Sequence, residues 1–149
     1  MGKRQDIYAL AKSELLASTG IVHVSQEVAE NSLAWKENRF PGVRLIDGIE
    51  IKERFAYPGS TEQLDMKSEF SLEFMGFVRS YNKSSTEIID NQNQLLVDIE
   101  TAIANSTLLD DITADIVPND QVTDKGNLEG MGWISGGFNI TYYYNHTAP

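Results

Sequence analysis

Cysteine is missing from all 149 residues. That excludes disulfides, thiol catalysis and cysteine-ligated metal. Histidine is nearly missing too. His23 and His146 are the only imidazoles and lie far apart in sequence, so a catalytic or metal-ligating role for either has no supporting residues. No apolar run approaches the ~20 residues that span a bilayer. The amino-terminal stretch is basic only at Lys3 and Arg4 and is soon interrupted by Lys12 and Glu14. It lacks the apolar core of an export signal, and a cytoplasmic protein is expected. Positive charge is scarce: 12 Lys and Arg stand against 22 Asp and Glu, for a net charge of −10. A protein that grips nucleic acid by neutralising phosphates needs a basic stripe, and this composition argues against one.

Catalytic signatures are also lacking. There is no Gly-x-Ser-x-Gly or His-Glu-x-x-His, and Gly126, Gly130 and Gly132 have no Lys-Ser/Thr step beside them, as a phosphate loop requires. Asp110, Asp111 and Asp115 could be imagined as oxygen ligands for a divalent cation, but an aspartate-rich turn between elements is the commoner arrangement. No catalytic residue, cofactor or metal is expected, and an enzyme is the minority reading.

What is present is ordinary globular composition, 41% hydrophobic and 23% charged, in a length that suits a single domain, residues 1–149. The stretch Leu64–Arg79 alternates. Leu64, Met66, Phe70, Leu72, Phe74 and Val78 fall on one side, and Asp65, Lys67, Glu69, Ser71 and Glu73 on the other. Successive strand side chains point to opposite faces, so this is a long strand with one face buried and one wet. From Phe74 both sides turn apolar around Gly76, which implies cover on both faces or a bulge.

Before it, Lys3–Ser18 reads as a helix through Ile7, Leu10, Ala11 and Leu15, ended near Gly20. Ile21–Val24 suits a short strand, and Ser25–Arg39 is ambiguous around Trp35. Val43–Leu45 and Ile49–Tyr57 read as a hairpin over the three-residue loop Ile46-Asp47-Gly48. That loop puts Val43, Leu45, Ile49 and Ile51 on one face. The turn Pro58–Gln63 then pairs Ile51 with Phe70 and Lys52 with Glu69.

After the long strand, Ser84 and Glu87 form a potential capping box. The helix behind it runs to about Asn105, with a stripe of Ile88, Leu95, Ile99, Ala102 and Ile103 broken at Gln92. Ile112–Val117 alternates until Pro118. Asn119–Gly132 reads as a long polar loop, and Trp133–Tyr144 as the last strand, with Gly136-Gly137 marking a potential bulge. The sum is an α+β domain: a mostly antiparallel sheet of four to five strands with two helices packed on one face.

Loops held on a rigid sheet often carry binding. Tyr57, Pro58, Gln63, Val122, Leu128 and Met131 are therefore the candidate interface residues. Asp65, Glu69 and Glu73 mark the wet sheet face as a candidate channel wall or contact face.

The order of elements resembles that of the tail terminator (minor tail or tail-completion) proteins of long-tailed bacteriophages. The likeness spans about residues 4 to 145. It rests on an N-terminal helix, Phe40-Pro41-Gly42-Val43 opening the sheet, the long strand Leu64–Val78, the helix Glu87–Ala104, and an ending that passes from Trp133 through Ile140-Thr141-Tyr142.

The resemblance implies a structural virion protein at the tail–neck junction, assembled in the host cytoplasm. Six copies would form a ring that caps the tail tube, ends tail polymerisation and docks the head-completion or neck connector. In a contractile tail a sheath would dock as well. Genomic DNA would pass through the channel without specific binding, and no membrane is involved. A ring of identical subunits needs two different, mutually complementary patches on each copy. Two alternatives stay open, another head–tail connector or neck protein and a small ligand-binding or enzymatic α+β domain.

Overall fold

The computed structural model describes residues 2–25, 40–54, 66–80, 84–124 and 130–145. In chain order the elements are α1 (Lys3–Ala17), β1 (His23–Ser25), β2 (Gly42–Arg54), β3 (Met66–Arg79), α2 (Ser85–Ala104), α3 (Thr107–Ile112), β4 (Asp115–Pro118), β5 (Val122–Thr123) and β6 (Met131–Tyr144). The strands form a six-stranded sheet in the order β1-β2-β3-β6-β4, with β5 also paired to β6. β1 runs parallel to β2, and every other pairing is antiparallel.

This corrects the expected four to five strands with two helices. The sheet is mixed and wider, and the described residues hold three helices. The added pieces are short. β5 lies inside the stretch read as a polar loop, and α3 occupies Thr107–Ile112, a stretch without an expected element ahead of the alternating Ile112–Val117, of which β4 takes only Asp115 onward. Ser106 caps α3 by accepting a hydrogen bond from the Leu109 amide at 3.1 Å.

The long strand behaves as its alternation requires. Ser68, Phe70, Leu72, Phe74 and Val78 of β3 are buried on the inner face, beside Val43 and Leu45 of β2 and Ile134, Phe138 and Ile140 of β6. The helices bring Ile7, Ala11 and Leu15, then Ile88, Leu95, Ile99 and Ile103, then Leu109, into the same core. Burying each large side chain is worth about 1.5–3 kcal/mol as an upper estimate. Gly76 does not bulge. It stays paired with Val43 and Ile134, and a Cβ there would come within 2.7 Å of Leu95 on α2. The missing side chain is what lets α2 lie close to the sheet. Gly136 and Gly137 likewise pair in register with Phe74 and Glu73, without a bulge.

Two local expectations change in a way that matters for the outer face. Asp47-Gly48 is not a hairpin. β2 runs straight through it as one strand, with a bulge between Asp47 and Glu50. One extra residue in β2 moves the pairing by one, so Ile51 stands opposite Glu69 and Glu50 opposite Phe70. A one-residue slip turns every later side chain over. Val43 and Leu45 therefore face the core, whereas Ile49 and Ile51 are 79% and 63% exposed on the far side.

The cap of α2 is also rearranged. Ser84 caps the Glu87 amide at 3.3 Å as expected. The Glu87 carboxylate does not reach back to Ser84. It accepts from Ser80 Oγ at 3.0 Å, and that hydroxyl in turn accepts from the Ser84 amide at 3.3 Å.

Candidate functional site

The outer face of the sheet is built by the alternate residues of four strands. One row crosses Ile51, Glu69, Thr141 and Asp115, and its neighbours add Ser71, Asn139 and Val117. These residues, with Ile49 and Phe70, line an open hollow of about 580 Å³. Its two rims are apolar, Ile49 and Ile51 on β2 and Val117 on β4, the last 46% exposed. Its floor is polar. Three exposed aliphatic side chains thus gather around one hollow, and covering them would remove apolar area from water, which is favourable.

Two carboxylates of this face, Glu69 and Glu53, share one cation. Lys67 lies 3.0 Å from Glu69 and 3.7 Å from Glu53. The hydrogen bond and charge of Glu69 hold the Lys67 ammonium above its ordinary pKa. Arg79 holds its guanidinium over the Phe40 ring, 5.4 Å from the centroid. Charge on this face is close to balanced.

Apart from Asp115, most of the acidity lies elsewhere. Residues 84–124 contain Glu87, Asp90, Asp98, Glu100, Asp110, Asp111, Asp115, Asp120 and Asp124 and not one Lys or Arg. Nearly all of the net charge of −10 therefore sits on α2, α3, β4 and the chain around β5.

Behind the hollow, on the inner face, the bulge turns Glu50 toward α1. Its carboxylate accepts from Ser68 Oγ at 2.6 Å and from the Tyr142 hydroxyl at 2.8 Å, and pairs with Arg4. Arg4 also donates to the Gly48 carbonyl at 3.3 Å and lies 5.3 Å from the Phe70 ring centroid. Burial pushes the Glu50 carboxyl up, but the hydrogen bonds from Ser68 and Tyr142 and the Arg4 charge outweigh it and hold the pKa below the ordinary value. Tyr142 is pushed up to about 12, by burial first and then by the neighbouring Glu50 carboxylate. Each group here is consumed by another, so the cluster fastens α1 and the bulge to the sheet.

The residues singled out from sequence are dispersed. Glu69 and Glu73 lie exposed on the outer face, at positions facing Ile51 and Ile46. Val122 is exposed on β5, against β6. Met131 is buried at the start of β6. Tyr57, Pro58, Gln63, Leu128 and Asp65 lie outside the described residues. Asp111 lines a second, smaller hollow of about 410 Å³ with Lys3, Asp6 and Tyr143, whereas Asp115 lines the larger one. Among the described residues no three such side chains converge as metal ligands.

The residues that sequence reasoning missed are Ile49, Ile51 and Val117. The first two were assigned to the core by the hairpin register, and only the bulge exposes them. No protein-family model matches the chain, and no curated protein matches it. No described helix is long and apolar enough to cross a membrane.

Proposed function

We propose that this chain is a structural tail-terminator protein, whose copies close into a ring that caps a phage tail tube and offers a docking surface to the head or neck connector. The observation that carries the reading is the outer sheet face. A broad sheet has all its described helices in one core, while the other face exposes Ile49, Ile51 and Val117 around an open hollow. A subunit of a ring needs such apolar surface outside its own core. The succession of α1, the long β3, α2 and the paired terminal strand β6 is the order on which the resemblance rests.

In this reading the helices lie outside and the polar floor of the outer face, with Glu69, Ser71, Glu73, Asn139 and Thr141, lines the channel. Its nearly balanced charge, and not strong acidity, leaves passing DNA without a grip. The partners are further copies of the chain, the tail tube protein and the neck connector, with a sheath added in a contractile tail.

Mass photometry and negative-stain microscopy of the concentrated protein, alone and with assembled tail tubes, test the proposal. Rings of six copies, or discs at tube ends with halted tube growth, are expected. A stable monomer that neither forms rings nor caps tubes would overturn it. Binding to the head connector without capping tubes would reassign the chain to the neck.

A further inference from the structure

Helix α2 carries a second apolar stripe beside the one that faces the core. Ile88, Gln92, Leu95, Ile99 and Ile103 point inward and are buried. Ile89, Asn93, Leu96, Glu100 and Ala104 follow at steps of four or three residues, with Val97 next to Leu96. Ile89 succeeds Ile88 and Leu96 succeeds Leu95, so the second stripe is turned about 100° from the first. Leu96 leans on the core, whereas Ile89 and Val97 are 41% and 55% exposed. A helix that had only to cover its own sheet would place polar side chains there.

Both flanks of the stripe are held. On one, Gln121 donates to the Glu100 carboxylate at 2.5 Å and sets the chain between β4 and β5 beside α2. On the other, Asp98 accepts from Gln94 at 2.9 Å and lies against Gly20. The exposed Val97 rises between the two.

The charge around the stripe is of one sign. Asp90, Asp98 and Glu100 surround it, and residues 84–124 hold no Lys or Arg. Among the described residues no Lys or Arg forms an ion pair with any of the three. No cation closes the last turn of α2 either, so the negative end of the helix dipole adds to the carboxylates. An apolar stripe set in uncompensated negative charge is complementary to apolar side chains flanked by cations.

A second copy does not offer such a surface. Two α2 stripes brought face to face repel, since both carry the same sign. Of the described helices only α1 contains Lys or Arg. Its apolar residues Ile7, Ala11 and Leu15 are buried, and Lys3 and Arg4 already bond to the Tyr143 carbonyl and to Glu50.

We propose that the second stripe of α2 docks a helix of a different protein, one with an aliphatic stripe flanked by Lys or Arg. The contact is argued from α2 alone and does not depend on the ring reading, which only places the helices outside.

Three labelled synthetic peptides serve as probes for the full chain at an ionic strength of about 0.15 M. One sets Leu at heptad positions with Lys around them. One has the same residues in an order with no apolar face, and one has Glu in place of Lys. Fluorescence anisotropy is expected to show the first binding about tenfold more tightly than the other two. Ile89→Ser with Val97→Ser should lose about that factor, with folding checked by circular dichroism. Asp90→Asn with Glu100→Gln should weaken binding and flatten its salt dependence. Ile49→Ser with Ile51→Ser, on the opposite face of the sheet, should bind as the parent does.

Equal binding of the faceless peptide would reduce the surface to adhesion by charge and overturn the proposal. So would full affinity in the α2 serine variant, or no binding of the first peptide. If the serine variant does not fold, the charge variant decides, and unchanged affinity and salt dependence there would overturn it. Dimers of the chain that disappear in the serine variant would assign the stripe to a second copy and remove the foreign partner.

Discussion

Arg4, in the first turn of α1, pairs with Glu50, the first residue to rejoin the β2–β3 register after the bulge. The contact spans 46 residues of sequence and fixes which face of β2 looks inward. It also holds the bulge itself, since the same guanidinium donates to the Gly48 carbonyl.

Removing this anchor has a definite cost. Glu50→Ala leaves Arg4, Ser68 and Tyr142 without their shared acceptor, at about 1–3 kcal/mol for a buried hydrogen-bonding group deprived of its partner. Urea denaturation is expected to show a lower midpoint with an unchanged slope.

The acid limb of stability should carry the same signature. The Glu50 carboxyl is held below its reference value of 4.5 in the folded chain. Its contribution is therefore fully present above about pH 4.5 and lost as pH falls through the lowered folded value. Urea midpoints measured from pH 6 to 3 should fall less steeply in Glu50→Gln than in the parent.

Tyr142 acts at the other end of the scale. Its hydroxyl is raised from 10.0 to about 12, so the folded state keeps a proton that the unfolded chain releases. Its contribution is complete below about pH 10 and declines as pH rises toward 12. Ultraviolet titration of phenolate should show one tyrosine ionising late, and that step should vanish in Tyr142→Phe.

Gly48 and Gly20 offer a contrast. A Cβ at Gly48 would sit 2.3 Å from the Ser71 carbonyl oxygen, which is backbone of β3, whereas at Gly20 the obstacle is the Asp98 carboxylate, the end of a movable side chain. Gly48→Ala should cost more than about 1 kcal/mol, in the range of overpacking. Gly20→Ala should cost clearly less in the same thermal melts.

Exposed Ile49 and Ile51 should contribute little to the isolated fold. Ile49→Ser with Ile51→Ser is expected to change monomer stability by no more than about 0.5 kcal/mol per site, read by urea denaturation at low protein concentration. A large loss would mean that these side chains are covered within one copy.

Long periodic elements were legible because their burial pattern repeats locally. The stripe of α2 and the alternation of β3 each name one buried face, and even the break at Gln92 has a local sign. That side chain is buried, donating to Asp124 at 2.6 Å and to the Trp133 carbonyl at 3.0 Å. The strand β5 and the helix α3 were harder, since two or six residues carry too little periodicity to stand out. A capping serine at Ser106 was the available signal for α3.

The candidate face lay beyond sequence reading for a sharper reason. Asp47-Gly48 is a good turn by local chemistry, and a hairpin there buries four apolar residues together. By itself the sequence determined the charge, the absence of thiol chemistry, the two long helices and the inward side of β3, all of which follow from composition or local period. Only the tertiary structure decided that β2 continues past Gly48. The reason is physical: Arg4, Ser68 and Tyr142 reach Glu50 from three other elements, and β3 pairs on both sides of the bulge. Contacts between residues distant in sequence outweigh a two-residue turn preference, and they leave Ile49 and Ile51 facing outward.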